Sequence, residues 1–145
     1  MGSPRKQDRA TRFTVSLPDP LMQTLDRLRG SRGYSNRSEF VRDLLRAELV
    51  KQEWEEQAGE TVGVLVLVYD HDARALAHKL TDIQHHSHGT ITAALHIHLS
   101  AHTCLEVIPL RGSPRHVRHV ANQLLAAKGV RYGQLVPATT GERLT

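Results

Sequence analysis

Residues 12–17, Arg12-Phe13-Thr14-Val15-Ser16-Leu17, alternate strictly between polar and apolar. A strand turns successive side chains to opposite faces, so Phe13, Val15 and Leu17 share one face and Arg12, Thr14 and Ser16 the other. Two amphipathic helices follow. Asp19 caps the first with Pro20 in its opening turn, Leu21, Met22, Leu25 and Leu28 mark its stripe, and Gly30 closes it. Asn36, with Glu39 three residues on, opens the second as a capping pair, and its stripe is Phe40, Val41, Leu44, Leu45 and Leu49. One strand and two helices over residues 12–50 cannot bury a core alone. Two copies can, if their strands pair antiparallel and bury Phe13, Val15 and Leu17 beneath the helices. The ribbon then offers Arg12, Thr14 and Ser16 outward, twice. Such a ribbon fits the major groove of DNA, where Arg, Thr and Ser read base edges. Ser35 and Asn36, at the start of the second helix, are suited to clamp a phosphate. Arg5, Lys6, Arg9, Arg12 and Arg37 give this half a basic character that fits the salt-dependent part of DNA binding. The competing reading is a dimerisation arm with no DNA role.

The second half changes pattern. Val62-Gly63-Val64-Leu65-Val66-Leu67-Val68-Tyr69 is nearly continuous apolar, as a central strand should be. A helix over 71–84 follows, with Ala73, Leu76, Ala77, Leu80 and Ile83 at helical spacing. Next come a strand within 90–99 and another from Cys104 to Ile108, ended at Pro109 because proline is unfavourable inside a central strand. Ser113-Pro114 caps a helix with stripe Val117, Val120, Ala121, Leu124 and Leu125, and a last strand runs over 130–136. The order β-α-β-β-α-β is a ferredoxin-like split, so the chain is α+β. A net charge of +4 permits nucleic-acid partners without requiring them. The single cysteine excludes an internal disulfide framework and fits a reducing, cytoplasmic compartment. No apolar run reaches the roughly 20 residues that cross a bilayer.

The chemistry-bearing residues concentrate in this half. His96 and His98 are two apart in a strand and share a face, while Leu95, Ile97 and Leu99 share the other. If Ser100-Ala101-His102 forms a three-residue connection, His98 lies opposite Cys104 and His96 opposite Glu106. Opposed Cβ atoms are then roughly 5 Å apart, within reach of one ion. A two-residue turn would put Cys104 on the wrong face. Imidazole and thiolate donors suit Ni(II), Cu(II) and Zn(II), and the donor set alone does not choose among them. The competing reading is an exposed polar strand beside a buried thiol.

The first half, through residues 12–17 and Gly33-Tyr34-Ser35-Asn36-Arg37-Ser38-Glu39, resembles the ribbon-helix-helix family of DNA-binding proteins. The span from about Arg12 to Val136 is similar to the NikR family of nickel-responsive repressors. The resemblance is carried by residues 34–39, Gln84-His85-His86, Leu95-His96-Ile97-His98 and Cys104-Leu105-Glu106. It implies a ribbon-helix-helix domain and an ACT-type, ferredoxin-like domain that forms a homotetramer, a dimer of dimers. It implies one square-planar Ni(II) per subunit, held by His96, His98 and Cys104 of one subunit and His85 of a neighbour, with Gln84 and Glu106 behind the ligands. Glu39 and Asp43 match positions the family uses for a weaker cation site. Two positions depart from the family pattern. The chain reads His85-His86-Ser87-His88 where a longer histidine run is common, and Ser16 where Thr is common.

The expected organisation is a basic N-terminal arm (1–11), a DNA-binding domain (12–50), a helix tail and linker (51–60), a metal-binding and tetramerisation domain (61–137) and a short tail (138–145). The function expected is repression from a palindromic double-stranded operator, promoted by Ni(II). Alternatives are a cytosolic metal store or chaperone and a small-molecule-sensing regulator. A catalytic use of Cys104 with His98 as base lacks a third orienting group, so the chain is not expected to be an enzyme.

Overall fold

The structure is a computed structural model that describes residues 10–57, 59–70, 72, 74–87, 89–91 and 93–144. Arg5, Lys6 and Arg9 of the expected arm, together with Ala73 and His88, lie outside the described residues. The chain divides into two compact units, with the division between Ala47 and Glu48.

The first unit holds α1 (Asp19–Ser31) and the beginning of α2 (Arg37–Glu56). Pro18 occupies the N-cap, so Asp19 stands in the first turn, where its charge complements the helix dipole, instead of capping it. The helix runs past Gly30 to Ser31, and the reversal falls at Gly33, whose φ of 76° is left-handed. Arg29 stabilises the turn by donating from Nη1 to the Tyr34 and Ser35 carbonyls, at 2.8 and 3.2 Å. Asn36 Oδ1 accepts from the Glu39 backbone N–H at 2.9 Å, which makes it the N-cap of α2. The return half of the capping pair differs from expectation: Glu39 Oε2 accepts from the Ser35 hydroxyl at 3.0 Å. A bidentate pair, Arg37 to Asp26 at 2.8 and 2.6 Å, fastens α1 to the start of α2.

The expected strand at 12–17 is not formed: residues 10–18 carry no strand in the single chain. A strand is defined by its ladder, and the partner expected for this one is a second copy of itself. Phe13 and Val15 are accordingly 70% and 58% exposed.

The second unit contains the end of α2, then β1 (Thr61–Asp70), α3 (Arg74–His86), β2 (Leu95–His98), β3 (Thr103–Gly112), α4 (Pro114–Leu125) and β4 (Val130–Pro137). The sheet order is β2-β3-β1-β4, and every pair is antiparallel. This is the expected split β-α-β arrangement. Thr61, Leu65, Leu67 and Tyr69 of β1 are buried, as are Cys104, Glu106, Ile108 and Leu110 of β3. They meet Leu76 and Leu80 of α3 and Val117, Val120, Ala121 and Leu124 of α4 in one core. The last turns of α2 belong to this unit: Trp54 is buried in the core and donates its indole N–H to the Ala138 carbonyl at 2.8 Å. The opposite face of the sheet carries Val64, Val66 and Val68, with Leu95, Ile97, Tyr132 and Val136 exposed.

Two strands differ from expectation for one reason. β3 does not stop at Pro109 but continues to Gly112, pairing Pro109 with Val64. The Arg111 N–H donates to the Thr90 carbonyl, away from β1. Alternation then turns the Pro109 nitrogen the same way. β2 pairs only with residues 104–107, so the missing donor falls where β2 has already ended and costs no ladder bond. For the same reason β2 is short. It spans Leu95–His98, and Ile91 makes only an isolated bridge to Leu110.

Candidate metal centre

The β2–β3 hairpin has the register His96↔Glu106 and His98↔Cys104. The Leu99 and Ser100 N–H groups both donate to the Thr103 carbonyl, at 2.9 and 3.2 Å, and residues 100–102 form the connection. The Ser100 hydroxyl oxygen accepts from the His102 and Thr103 N–H groups and stiffens it. This three-residue turn sets the parity that puts both histidines and the cysteine on one face. Donor atoms of His96, His98 and Cys104 all lie within 4.8 Å of one another. His98 Nδ1 stands 3.5 Å from Cys104 Sγ, and the His96 and His98 rings are 4.8 Å apart, edge to face. Cys104 is fully buried, whereas both histidines are exposed. The trio therefore has a closed thiol side and an open imidazole side.

Behind the trio runs a hydrogen-bonded chain. The Gln84 amide at the end of α3 donates to Glu106 Oε1 at 2.7 Å, and the Tyr69 hydroxyl donates to Glu106 Oε2 at 2.9 Å. The Tyr69 oxygen also lies 3.1 Å from His96 Nδ1. With its proton directed to Glu106, that oxygen accepts from an Nδ1–H. This geometry favours the His96 tautomer whose Nε2 keeps its lone pair for a ligand bond. Burial and the Glu106 carboxylate push the Tyr69 phenol well above its usual range, so it stays a donor at any ordinary pH. Burial, and then the carboxylates Glu106, Asp70 and Asp72, push the Cys104 thiol up.

The pair expected behind the ligands, Gln84 and Glu106, is thus in direct contact with each other and, through Tyr69, linked to His96. Tyr69 was missed from sequence. It is the β1 partner of Cys104, and only the β1–β3 register reveals that. His85 is exposed in the last turn of α3 and is not one of the clustered donors. Successive helical residues point about 100° apart. With Gln84 turned onto its own sheet, His85 is turned elsewhere. Glu39 and Asp43 hold other partners. Asp43 accepts from the Tyr34 hydroxyl at 2.9 Å and from Arg46 at 3.0 Å, which hold its carboxyl below the usual range. Glu39 takes the Ser35 hydroxyl. Arg12, Thr14, Ser16, Ser35 and Asn36 are all exposed.

One buried thiol and two imidazoles converging within a few ångströms suit a borderline transition metal and not a hard, oxygen-seeking ion. The donor chemistry therefore fits nickel.

Comparison with known proteins places both halves. Residues 62–138 match the family described as NikR C terminal nickel binding domain, and residues 11–52 match ribbon-helix-helix proteins of the copG family. A protein of Geobacter metallireducens described as a nickel-responsive regulator is 52% identical over 92% of this chain and 96% of its own length. Similarly described proteins of Geobacter sulfurreducens and Anaeromyxobacter dehalogenans are each 50% identical, over 96% and 97% of their lengths and 92% of this chain. With both domains matched and half of the residues shared across nearly the whole length, the chain belongs to the NikR family of nickel-responsive regulators.

Proposed function

We propose that the protein is a cytoplasmic, nickel-responsive DNA-binding repressor, with no catalytic role, whose operator binding is promoted by Ni(II). The observation that carries this is the hairpin register that brings His96, His98 and Cys104 together in a chain of this family. These three, with His85 from a neighbouring subunit, would hold one Ni(II) per subunit. When bound, the ion supplies a cross-link between subunits. Gln84, Tyr69 and Glu106 hold His96 in its ligating tautomer. The exposed apolar face of the sheet, including Leu95, Ile97, Tyr132 and Val136, supports assembly into a homotetramer. Phe13 and Val15 support pairing of the 12–17 segments into a ribbon, with Arg12, Thr14 and Ser16 toward base edges and Ser35 and Asn36 at phosphates. DNA reading is assigned to 12–50 and metal binding and assembly to 61–137, while the segment 51–60, expected as helix tail and linker, contributes Trp54 to the core of the second unit.

A ligand set split between subunits would couple occupancy to quaternary order. An ordered core would let two ribbon pairs engage successive half-sites of a palindromic operator together, which raises affinity without new base contacts. The test is retention of a random-sequence duplex library with excess chelator, then with Ni(II), Cu(II), Zn(II) and Co(II) in turn. Enrichment of a palindrome with Ni(II) and its loss with chelator is expected. Equal retention with chelator and with every metal would overturn the reading.

A further inference from the structure

At the far end of the sheet from the trio there is an open cleft of about 430 Å³. From Cys104 to Gly112 is eight strand steps, about 26 Å at the usual rise. Thr61 pairs with Gly112, so the chain enters β1 where β3 leaves for α4. That pairing brings Gln57 beside Ser113 and Arg115, and all three line the cleft with His116, Arg118 and His119.

Its lining has one electrostatic sign. Arg115, Arg118, His119 and Asn122 are spaced i, i+3, i+4 and i+7 along α4, opposite the buried stripe of Val117, Val120, Ala121 and Leu124. Among the described residues, no carboxylate lines the cleft. Two acids close in sequence to Gln57 are engaged with other residues: Glu60 with Arg111 at 2.7 Å and Glu56 with Arg143 at 3.7 Å. Among the described residues, Arg115 and Arg118 take part in no ion pair, so their charge is not spent on a neighbour, and His116 and His119 bring ring nitrogens to the same cleft. Arg118 is pinned. It donates to the Trp54 carbonyl at 3.2 Å and lies 5.5 Å from the Trp54 ring centre. A fixed guanidinium loses little freedom on meeting an anion. Ser113 accepts from the His116 N–H and caps the helix, whose positive dipole end lies at the same place.

We propose that this cleft binds an oxyanion of phosphate type, held by Arg115, Arg118, His116 and His119. The same chemistry is offered by a free phosphate-bearing solute and by a phosphate of the DNA backbone.

The experiment titrates the nickel-loaded full-length protein with inorganic phosphate by calorimetry at fixed ionic strength. An Arg115→Gln/His119→Gln double variant is measured beside it. Arg118 is left in place because it packs on Trp54. Circular dichroism and the nickel charge-transfer band establish that the variant keeps its fold and metal site. If the double variant does not fold, Arg115→Gln alone, on an exposed side chain, replaces it. The salt dependence of binding to non-operator duplex DNA is measured in parallel. Saturable phosphate binding that weakens about tenfold or more in the variant supports the site and makes a free anion its ligand. A salt slope shallower by about one unit per lost contact, without saturable phosphate, supports it with the DNA backbone as the source. Absent or equal phosphate binding together with an unchanged slope overturns it. The phosphate arm needs no operator, so its outcome is independent of whether the protein represses.

Discussion

Removing the Cys104 sulfur tests the metal centre most directly. Titration with Ni(II) should give a thiolate-to-metal charge-transfer band, and Cys104→Ala should abolish it. Wild-type stoichiometry and spectrum in that variant would place the site elsewhere. The pH dependence has a definite sign. The thiol must lose its proton to bind, and burial pushes that proton's release to higher pH. Protons therefore compete with Ni(II) well into the neutral range, and apparent affinity should fall as pH is lowered. Chelator competition at several pH values measures this. Tyr69→Phe keeps the buried ring but removes the hydroxyl that links Glu106 to His96. Nickel affinity should drop about tenfold or more, the usual effect of losing a partner behind a ligand, with thermal stability little changed. The ligand trio was legible because parity in a strand and the length of one local turn place it. Tyr69 was not, because its role depends on a pairing between strands 35 residues apart in sequence, Tyr69 with Cys104.

Helices were readable as elements, but their apolar stripes are buried unevenly: α1 has no buried residue, and Leu44, Leu45 and Leu49 of α2 are exposed in the single chain. Val117, Val120, Ala121 and Leu124 were expected inward on α4 and are buried there. Strand limits were less readable, as Pro109 shows: whether a missing N–H matters depends on what lies across from it. Close approach is also invisible in a sequence. A Cβ on Gly133 of β4 would run into the Leu125 side chain and would meet the Leu67 side chain at 2.8 Å and the Val66 carbonyl at 3.0 Å. Gly133→Ala should therefore destabilise the second unit by about 1–3 kcal/mol, read from urea denaturation. The segment at 12–17 makes a contrasting prediction. Arg12→Ala should leave stability and nickel affinity intact and weaken specific DNA binding, measured by gel retardation on the selected palindrome. Unchanged affinity would remove the ribbon from the DNA interface.

Assembly is tested by mixing subunits. His85→Ala and Cys104→Ala should each lose the charge-transfer band when alone. A one-to-one mixture should regain part of it, because some interfaces then pair an intact His85 with an intact His96, His98 and Cys104. A site built within one subunit could never recover this way. No recovered signal, once mass spectrometry shows exchange, would count against the shared site. The overall α+β plan was legible because the switch from amphipathic helices to a β-α-β-β-α-β pattern is coarse and survives errors at element ends. Two of the three clustered donors, moreover, stand on the least secured part of that plan. β2 has four paired residues, all exposed, at the edge of the sheet. Such a strand opens at little cost and without unfolding of the core. In the assembly proposed above that cost would rise, because a neighbouring subunit would cover the strand and a shared ion would tie it down, so loss of metal and loosening of the subunit contact would go together.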